Sequence, residues 1–174
     1  DREKEVADRI RKLLEEIREE SERVAKEIRE LIKEVHKRTK EVAEEIRRLL
    51  KEVEELLRNG VDSEEVRRLL KEIVDRLREL VKESEKELDR ILDRLKKLVE
   101  KSKRESEKVV KELRDAGIDE EVVKEIERRL RENERKLREL EKEIKKLVED
   151  NRTRLRELED EIRRVLKKIT DEVT

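Results

Sequence analysis

His36 is the only histidine in a chain without cysteine, so the nitrogen and sulfur side chains that transition metals prefer are nearly absent. Di-iron helix bundles use inward-facing Glu-x-x-His pairs, but Lys33 stands three residues before His36. A single histidine does not make a metal site. We therefore predict no metal and no cofactor. Whether His36 joins a buried polar group, pairs with Glu87 or faces water is left open.

The hydroxyl and acidic side chains form no catalytic pattern either. Serine and threonine recur at positions predicted to face the core, whereas runs such as Glu15-Glu16 are predicted to face solvent. Asn151-Arg152-Thr153 matches the glycosylation motif, but Asn151 falls on the core side of a predicted helix. Two glycines are too few for a phosphate-binding loop. We predict no catalytic residues and a protein that is not an enzyme.

The composition narrows the class of protein further. Charged residues make up 59% of the chain and apolar residues 32%, with no aromatic residue and no proline. This suits either a disordered polyelectrolyte or a long-helix bundle, and the helical spacing of the apolar residues favours the bundle. The 51 basic and 52 acidic residues are interspersed, which disfavours nucleic-acid binding. No apolar run approaches the roughly 20 residues of a membrane span.

Two glycine-containing stretches are the only interruptions of the helical pattern. In the first, Gly60 suits the left-handed residue after a helix end. Asp62 suits the N-cap of the next helix, with Glu65 completing a capping box. Val61 and Val66 are spaced to form a hydrophobic staple. This stretch therefore predicts a short turn between two helices.

The second interruption repeats the same parts. Gly117 follows a helix end, Asp119 is the predicted N-cap, and Ile118 is spaced to pack on Val123. Loops at about 59–62 and 115–119 leave helices at about 2–58, 63–114 and 120–172. Because short loops make neighbouring helices antiparallel, we predict an all-α fold: a single up-down-up three-helix bundle forming one domain over residues 1–174.

An eighteen-residue repeat runs through the helices. Ile10, Ile28 and Ile46 are eighteen apart, and so are the isoleucines at 126, 144 and 162. Eighteen residues in five turns is the period of a straight α-helix, whereas heptads produce a left-handed supercoil. We therefore expect long, nearly straight helices, each with one apolar stripe facing a shared core.

Polar residues occupy some positions of these stripes, again eighteen apart. Folding the chain at its two turns places them in two cross-sections. We predict the buried polar layers Ser21–Ser102–Asn133 and Thr39–Ser84–Asn151. Hydroxyl and amide groups are able to donate and accept, so each layer could form a hydrogen-bonded network. The alternative is that some of these residues bond to water or to carbonyls one turn back on their own helix.

These features resemble computationally designed helical bundles that contain buried hydrogen-bond networks. The resemblance rests on the turns NGVDSEE and AGIDEE, the eighteen-residue repeat, the Leu/Ile/Val core and the polar layers, and it covers the whole chain. It implies a de novo protein that serves as a structural scaffold without natural biochemical activity. A thermostable monomer that needs no partner is expected. For such a synthetic protein no natural location applies, and soluble cytoplasmic expression is expected.

Two other functions remain open from the sequence. The chain could be an engineered binding or assembly module, either as a homo-oligomer or as the three-helix partner of a designed second chain. It could also be a spectrin-like structural spacer, although spectrin repeats carry core tryptophans and this chain has none. The handedness of the bundle is not specified by the sequence pattern.

Overall fold

The structure is a computed structural model that describes residues 2–60 and 63–173, apart from the side chains at positions 63, 170, 172 and 173. It contains three helices: α1 (Arg2–Arg58), α2 (Ser63–Asp115) and α3 (Glu120–Val173). No strand occurs within these residues. The predicted all-α, three-helix fold is confirmed, and α2 and α3 each extend one residue beyond their predicted ends.

The contacts within the chain divide it into two compact units. The first unit comprises Asp1–Leu31 and Ile91–Lys146, and the second comprises Ile32–Arg90 and Leu147–Thr174. Each unit therefore contains a part of all three helices. The prediction of one domain stays a prediction, and the two units are described separately.

Isoleucine, leucine and valine fill the core of the first unit. At one end of it, eight buried side chains form a continuous cluster: Ile10, Leu14, Val109, Leu113, Ile118, Val123, Ile126 and Leu130. Farther along the same helices, Ile28, Leu95 and Ile144 are at most 2% exposed. The most deeply buried positions thus follow the eighteen-residue repeat, because that spacing returns a side chain to the same face of an α-helix.

The second unit repeats this arrangement. Ile46, Ile73 and Ile162 are at most 2% exposed and belong to one cluster. That cluster also contains Leu158, and the partly buried Leu77 packs against it. Each helix contributes one apolar stripe to the cluster, so burial of aliphatic side chains is the main stabilising contribution.

Ion pairs on the surface of each unit show how the helices are aligned with one another. Between α1 and α2, the residue numbers of five pairs add up to 121, for example 45 and 76: Arg9–Glu112, Glu20–Lys101, Glu27–Arg94, Arg38–Glu83 and Glu45–Arg76. A constant sum means that α2 runs antiparallel to α1. Between α1 and α3, the two residue numbers of each pair differ by 114, as in Arg29–Glu143. A constant difference means that α3 runs parallel to α1. Within each unit the order is therefore up-down-up.

The turn before α3 closes α2 with paired backbone hydrogen bonds. Gly117 has a φ of 63°. Its N–H donates to the carbonyl of Arg114 at 3.2 Å, and the N–H of Ile118 donates to that of Leu113 at 3.4 Å. This is the Schellman arrangement, and the buried side chains of Leu113 and Ile118 belong to one cluster. The N–H of Val123 donates to the carbonyl of Asp119 at 3.1 Å, which begins α3.

The turn before α2 is described in part. Gly60 has a φ of 68°, and its N–H donates to the carbonyl of Leu57 at 3.3 Å. The predicted N-cap Asp62 and the predicted staple residue Val61 lie outside the described residues. The described half therefore resembles the second turn in placing a glycine in the left-handed region after a helix end.

Gly117→Ala is expected to lower the free energy of unfolding by about 1–2 kcal/mol. Glycine has no Cβ and adopts the left-handed region freely, whereas most L-residues, apart from Asn and Asp, are strained there. An added Cβ would meet no atom within 4 Å, so the cost comes from the backbone alone. Gly117→Asn is the matched control and should cost less. Guanidinium chloride denaturation followed by circular dichroism measures both. Equal losses for Ala and Asn would contradict the backbone explanation.

Candidate functional site

Polar side chains enter the core of each unit at one position on each helix. In the first unit, Ser21 and Ser102 are each 7% exposed and Asn133 is half-buried. The corresponding residues of the second unit are all buried: Thr39, Ser84 and Asn151. Burying an unpaired polar group costs free energy, so the hydrogen bonds of these residues determine whether they stabilise or destabilise the fold.

In the first unit the structure brings together two of the three residues. The Asn133 side-chain amide donates from Nδ2 to Oγ of Ser102 at 3.4 Å, which is long for such a bond. Ser21 lines the same surface cleft as Asn133, but no hydrogen bond within the described part of the chain joins it to Ser102 or Asn133. This group therefore contains one weak contact between α2 and α3, with Ser21 beside it.

In the second unit, Asn151 pairs with a residue outside the predicted layer. Its Oδ1 lies 3.1 Å from Nδ1 of the half-buried His36. In this amide orientation Oδ1 is the acceptor, so Nδ1 of His36 carries the proton. Asn151 is 0% exposed, and its Nδ2 has no hydrogen-bond partner among the residues that the structure describes. His36 thus belongs to the buried polar group of this unit, and the group leaves one donor unused.

The hydroxyl groups of the second unit do not complete a network across the helices. Thr39 donates from Oγ1 to the carbonyl of Val35 at 2.8 Å, one turn back on its own helix. Ser84 is buried, and no hydrogen bond among the described residues joins it to Thr39 or Asn151. Thr39 therefore follows the local alternative, and the contact between helices is the one made by His36 and Asn151.

A bidentate ion pair joins α1 to α3 on the surface of the first unit. Arg29 donates from Nε and a terminal nitrogen to the two carboxylate oxygens of Glu143, at 3.2 and 3.0 Å. These hydrogen bonds lower the pKa of Glu143 and raise the pKa of Arg29. Hydrogen bonding to Glu20 likewise raises the pKa of Lys101. Both side chains of the Arg29 pair are about half exposed, so solvent screens the interaction.

The Arg29–Glu143 pair is expected to stabilise the fold slightly near neutral pH and not in acid. Glu143 has a lowered pKa when folded and an ordinary value near 4.5 when unfolded. The unfolded chain therefore binds more protons between these two values, so this contribution is complete above about pH 5.5 and is lost as pH falls through the folded pKa. Exposed pairs contribute about 0.2–1 kcal/mol.

A double-mutant cycle with Arg29→Gln and Glu143→Gln measures this coupling at pH 7 and pH 2. We expect a coupling energy at the low end of about 0.2–1 kcal/mol at pH 7 and no coupling at pH 2. In the NMR titration of the Glu143 carboxyl carbon, Arg29→Gln should raise the pKa toward its ordinary value. A coupling energy that is the same at both pH values would contradict the assignment.

Neither a metal-ligand group nor a membrane-spanning helix occurs in the part of the chain that the structure describes. Within the described residues, no group of three or more His, Cys, Asp or Glu side chains is placed to hold a metal ion. None of the helices has, in its described part, an apolar stretch able to cross a membrane. The contacts that the structure gives to the polar groups of the two units are hydrogen bonds within one helix or between two helices.

Comparison with known proteins concerns the fold. No protein-family model and no curated protein matches the sequence. Among solved structures, the chain is similar to a "Computationally designed three helix bundle", with a TM-score of 0.67 and 18% sequence identity. The match covers 99% of this chain and 92% of the other. This chain therefore shares its three-helix fold with a designed protein.

Proposed function

We propose that the chain is a de novo designed structural scaffold with no natural biochemical activity. In this proposal it folds and acts as a thermostable monomer, and it requires no cofactor, nucleic acid, membrane or partner protein. Its similarity to a designed bundle supports the proposal at the level of fold. The internal regularity of the chain supports the more specific claim.

The observation that carries the proposal is an arginine–glutamate pair repeated every eighteen residues. Within the first unit, Arg11 pairs with Glu125 and Arg29 with Glu143; within the second, Arg47 pairs with Glu161. The side chains of these pairs are largely outside the core, where natural sequences drift freely because most surface substitutions change stability little. Because the surface pairs repeat at the same interval as the core positions, the repeat favours a sequence that was designed on one repeating helix geometry.

The exposed surface supports a scaffold over a binding module. Of the large hydrophobic residues that the structure describes, Leu13 is the most exposed, at 37%. Surfaces that bind a partner helix or a second copy carry larger contiguous apolar patches. The dense mixture of Lys, Arg, Glu and Asp on the remaining faces favours a soluble monomer.

Size-exclusion chromatography with light scattering tests the proposal. We expect a single species near the chain mass of 21.3 kDa, independent of concentration. Its circular dichroism at 222 nm should remain helical to at least ~90 °C, the range of hyperstable proteins. It should not bind a dye that reports exposed apolar surface. A species of twice that mass, or strong dye binding by the isolated chain, would contradict the proposal and support the alternative of an assembly module.

A further inference from the structure

The two polar groups are related by the eighteen-residue repeat, but one position differs between them. Three positions correspond in kind: Ser21 to Thr39, Ser102 to Ser84, and Asn133 to Asn151. The fourth does not, because the residue eighteen positions before His36 is Arg18. The first unit therefore has the same asparagine and hydroxyl groups without the imidazole ring.

Arg18 does not take the place of that ring. Its guanidinium pairs with Glu15 on the same helix, and 51% of its side chain remains exposed. Asn133 is correspondingly half-buried, whereas Asn151, paired with His36, is 0% exposed. The position that an imidazole covers in the second unit is open to solvent in the first.

A surface cleft between α1 and α3 lies at this open position. It has a volume of about 300 Å³, and Arg18, Ser21 and Asn133 are among its polar lining residues. Ala25 and Leu137 contribute apolar wall. An engineered apolar cavity of roughly 150 Å³ is known to bind benzene, so the cleft has room for a five-membered ring.

Asn133, one of the residues that line this cleft, has an acceptor without a hydrogen-bond donor among the described residues. Its Nδ2 donates to Ser102 at 3.4 Å, and no described residue donates to its Oδ1. The corresponding Oδ1 of Asn151 is the atom that faces Nδ1 of His36 at 3.1 Å. The acceptor that binds an imidazole N–H in the second unit is therefore available to an external donor in the first.

We propose that the cleft at Arg18, Ser21 and Asn133 is a binding site for small planar nitrogen heterocycles of the imidazole class. The ring N–H of the ligand donates to Oδ1 of Asn133, and its carbon edge packs against the apolar wall formed by Ala25 and Leu137. The site does not depend on the proposed scaffold function, because it follows from the contacts of the polar groups in the two units.

NMR titration of the full chain with 4-methylimidazole, the analogue of a histidine side chain, tests this site. The sequence contains three asparagines, Asn59, Asn133 and Asn151, and no glutamine, so the spectrum holds three side-chain amide pairs. At pH 8 we expect a saturable shift of the Asn133 pair with a dissociation constant on the order of millimolar. The pairs of Asn59 and Asn151 should not shift.

A ligand without the donor provides the first control. In 1,4-dimethylimidazole the ring N–H is replaced by a methyl group, which removes the hydrogen bond to Oδ1. Because one such bond contributes about 1 kcal/mol, binding should weaken about fivefold or more. Equal affinities for the two ligands would overturn the proposal, since they would mean that the ring binds without Asn133.

Two substitutions at one position provide the second control. Arg18→His supplies the ring from the chain itself, so it should abolish the ligand-induced shift and move the Asn133 amide pair toward the position of the Asn151 pair. Arg18→Gln removes the charge without supplying a ring and should retain binding. Linear, equal shifts of all three amide pairs, or undiminished binding in Arg18→His, would overturn the proposal.

Discussion

Replacing Leu95 with alanine is expected to lower the free energy of unfolding by about 2–5 kcal/mol. Leu95 is 2% exposed and lies in the core of the first unit. The truncation removes buried methyl groups and leaves a cavity, because the surrounding aliphatic side chains relax only in part. Guanidinium chloride denaturation followed at 222 nm measures the change.

Leu13→Ala is the matched control for this truncation. It makes the same chemical change on α1 of the same unit, where the leucine is 37% exposed. Since part of that side chain already faces water, the loss should be less than half of that for Leu95. Similar losses at the two positions would show that burial does not distinguish them, and would place Leu95 outside the core.

Asn151→Leu is expected to raise the free energy of unfolding by about 1–3 kcal/mol. The Asn151 side chain is 0% exposed and no described residue accepts from its Nδ2, so folding removes this donor from water without a protein hydrogen bond in return. Leucine of similar size removes that cost. His36 loses its partner in the variant, but it is half-buried and is able to turn its ring toward water.

Asn133→Leu is the control for this substitution in the other unit. Asn133 is half-buried and its Nδ2 is bonded to Ser102, so less is gained by removing it and Ser102 loses a contact. We expect a change within about 1 kcal/mol of zero. If Asn151→Leu destabilises the protein instead, the Nδ2 of Asn151 is satisfied in solution, for example by a buried water.

The fold follows from periodicity and from two glycines. Aliphatic residues that return to one face every eighteen residues specify three long amphipathic helices, and Gly60 and Gly117 separate them. The pairing of Ser102 with Asn133 also followed from counting residues outward from the turn between α2 and α3, because a short turn leaves little freedom in the register of antiparallel helices. Such arguments use backbone geometry, which the sequence specifies directly.

The contacts of single side chains were harder to predict. A histidine at the edge of a stripe is able to turn toward either neighbouring helix, so the sequence left open whether His36 joins the polar layer, pairs with Glu87 or faces water. The structure pairs it with Asn151 on α3. Thr39 was predicted to join a layer between helices, but a carbonyl one turn back is always within reach of a helical hydroxyl. Choices between two nearby partners depend on rotamers, which periodicity does not determine.

The closed turn before α3 has a consequence for engineering this chain. Asp115, Ala116 and Gly117 are exposed, and a Cβ added at Gly117 would meet no atom within 4 Å. The hydrogen bonds that end α2 bridge this tip, because the N–H groups of Gly117 and Ile118 donate to the carbonyls of Arg114 and Leu113. Foreign peptide segments spliced between Ala116 and Gly117 would therefore project into solvent, but they would separate these donors from their acceptors and remove the hydrogen bonds that close α2.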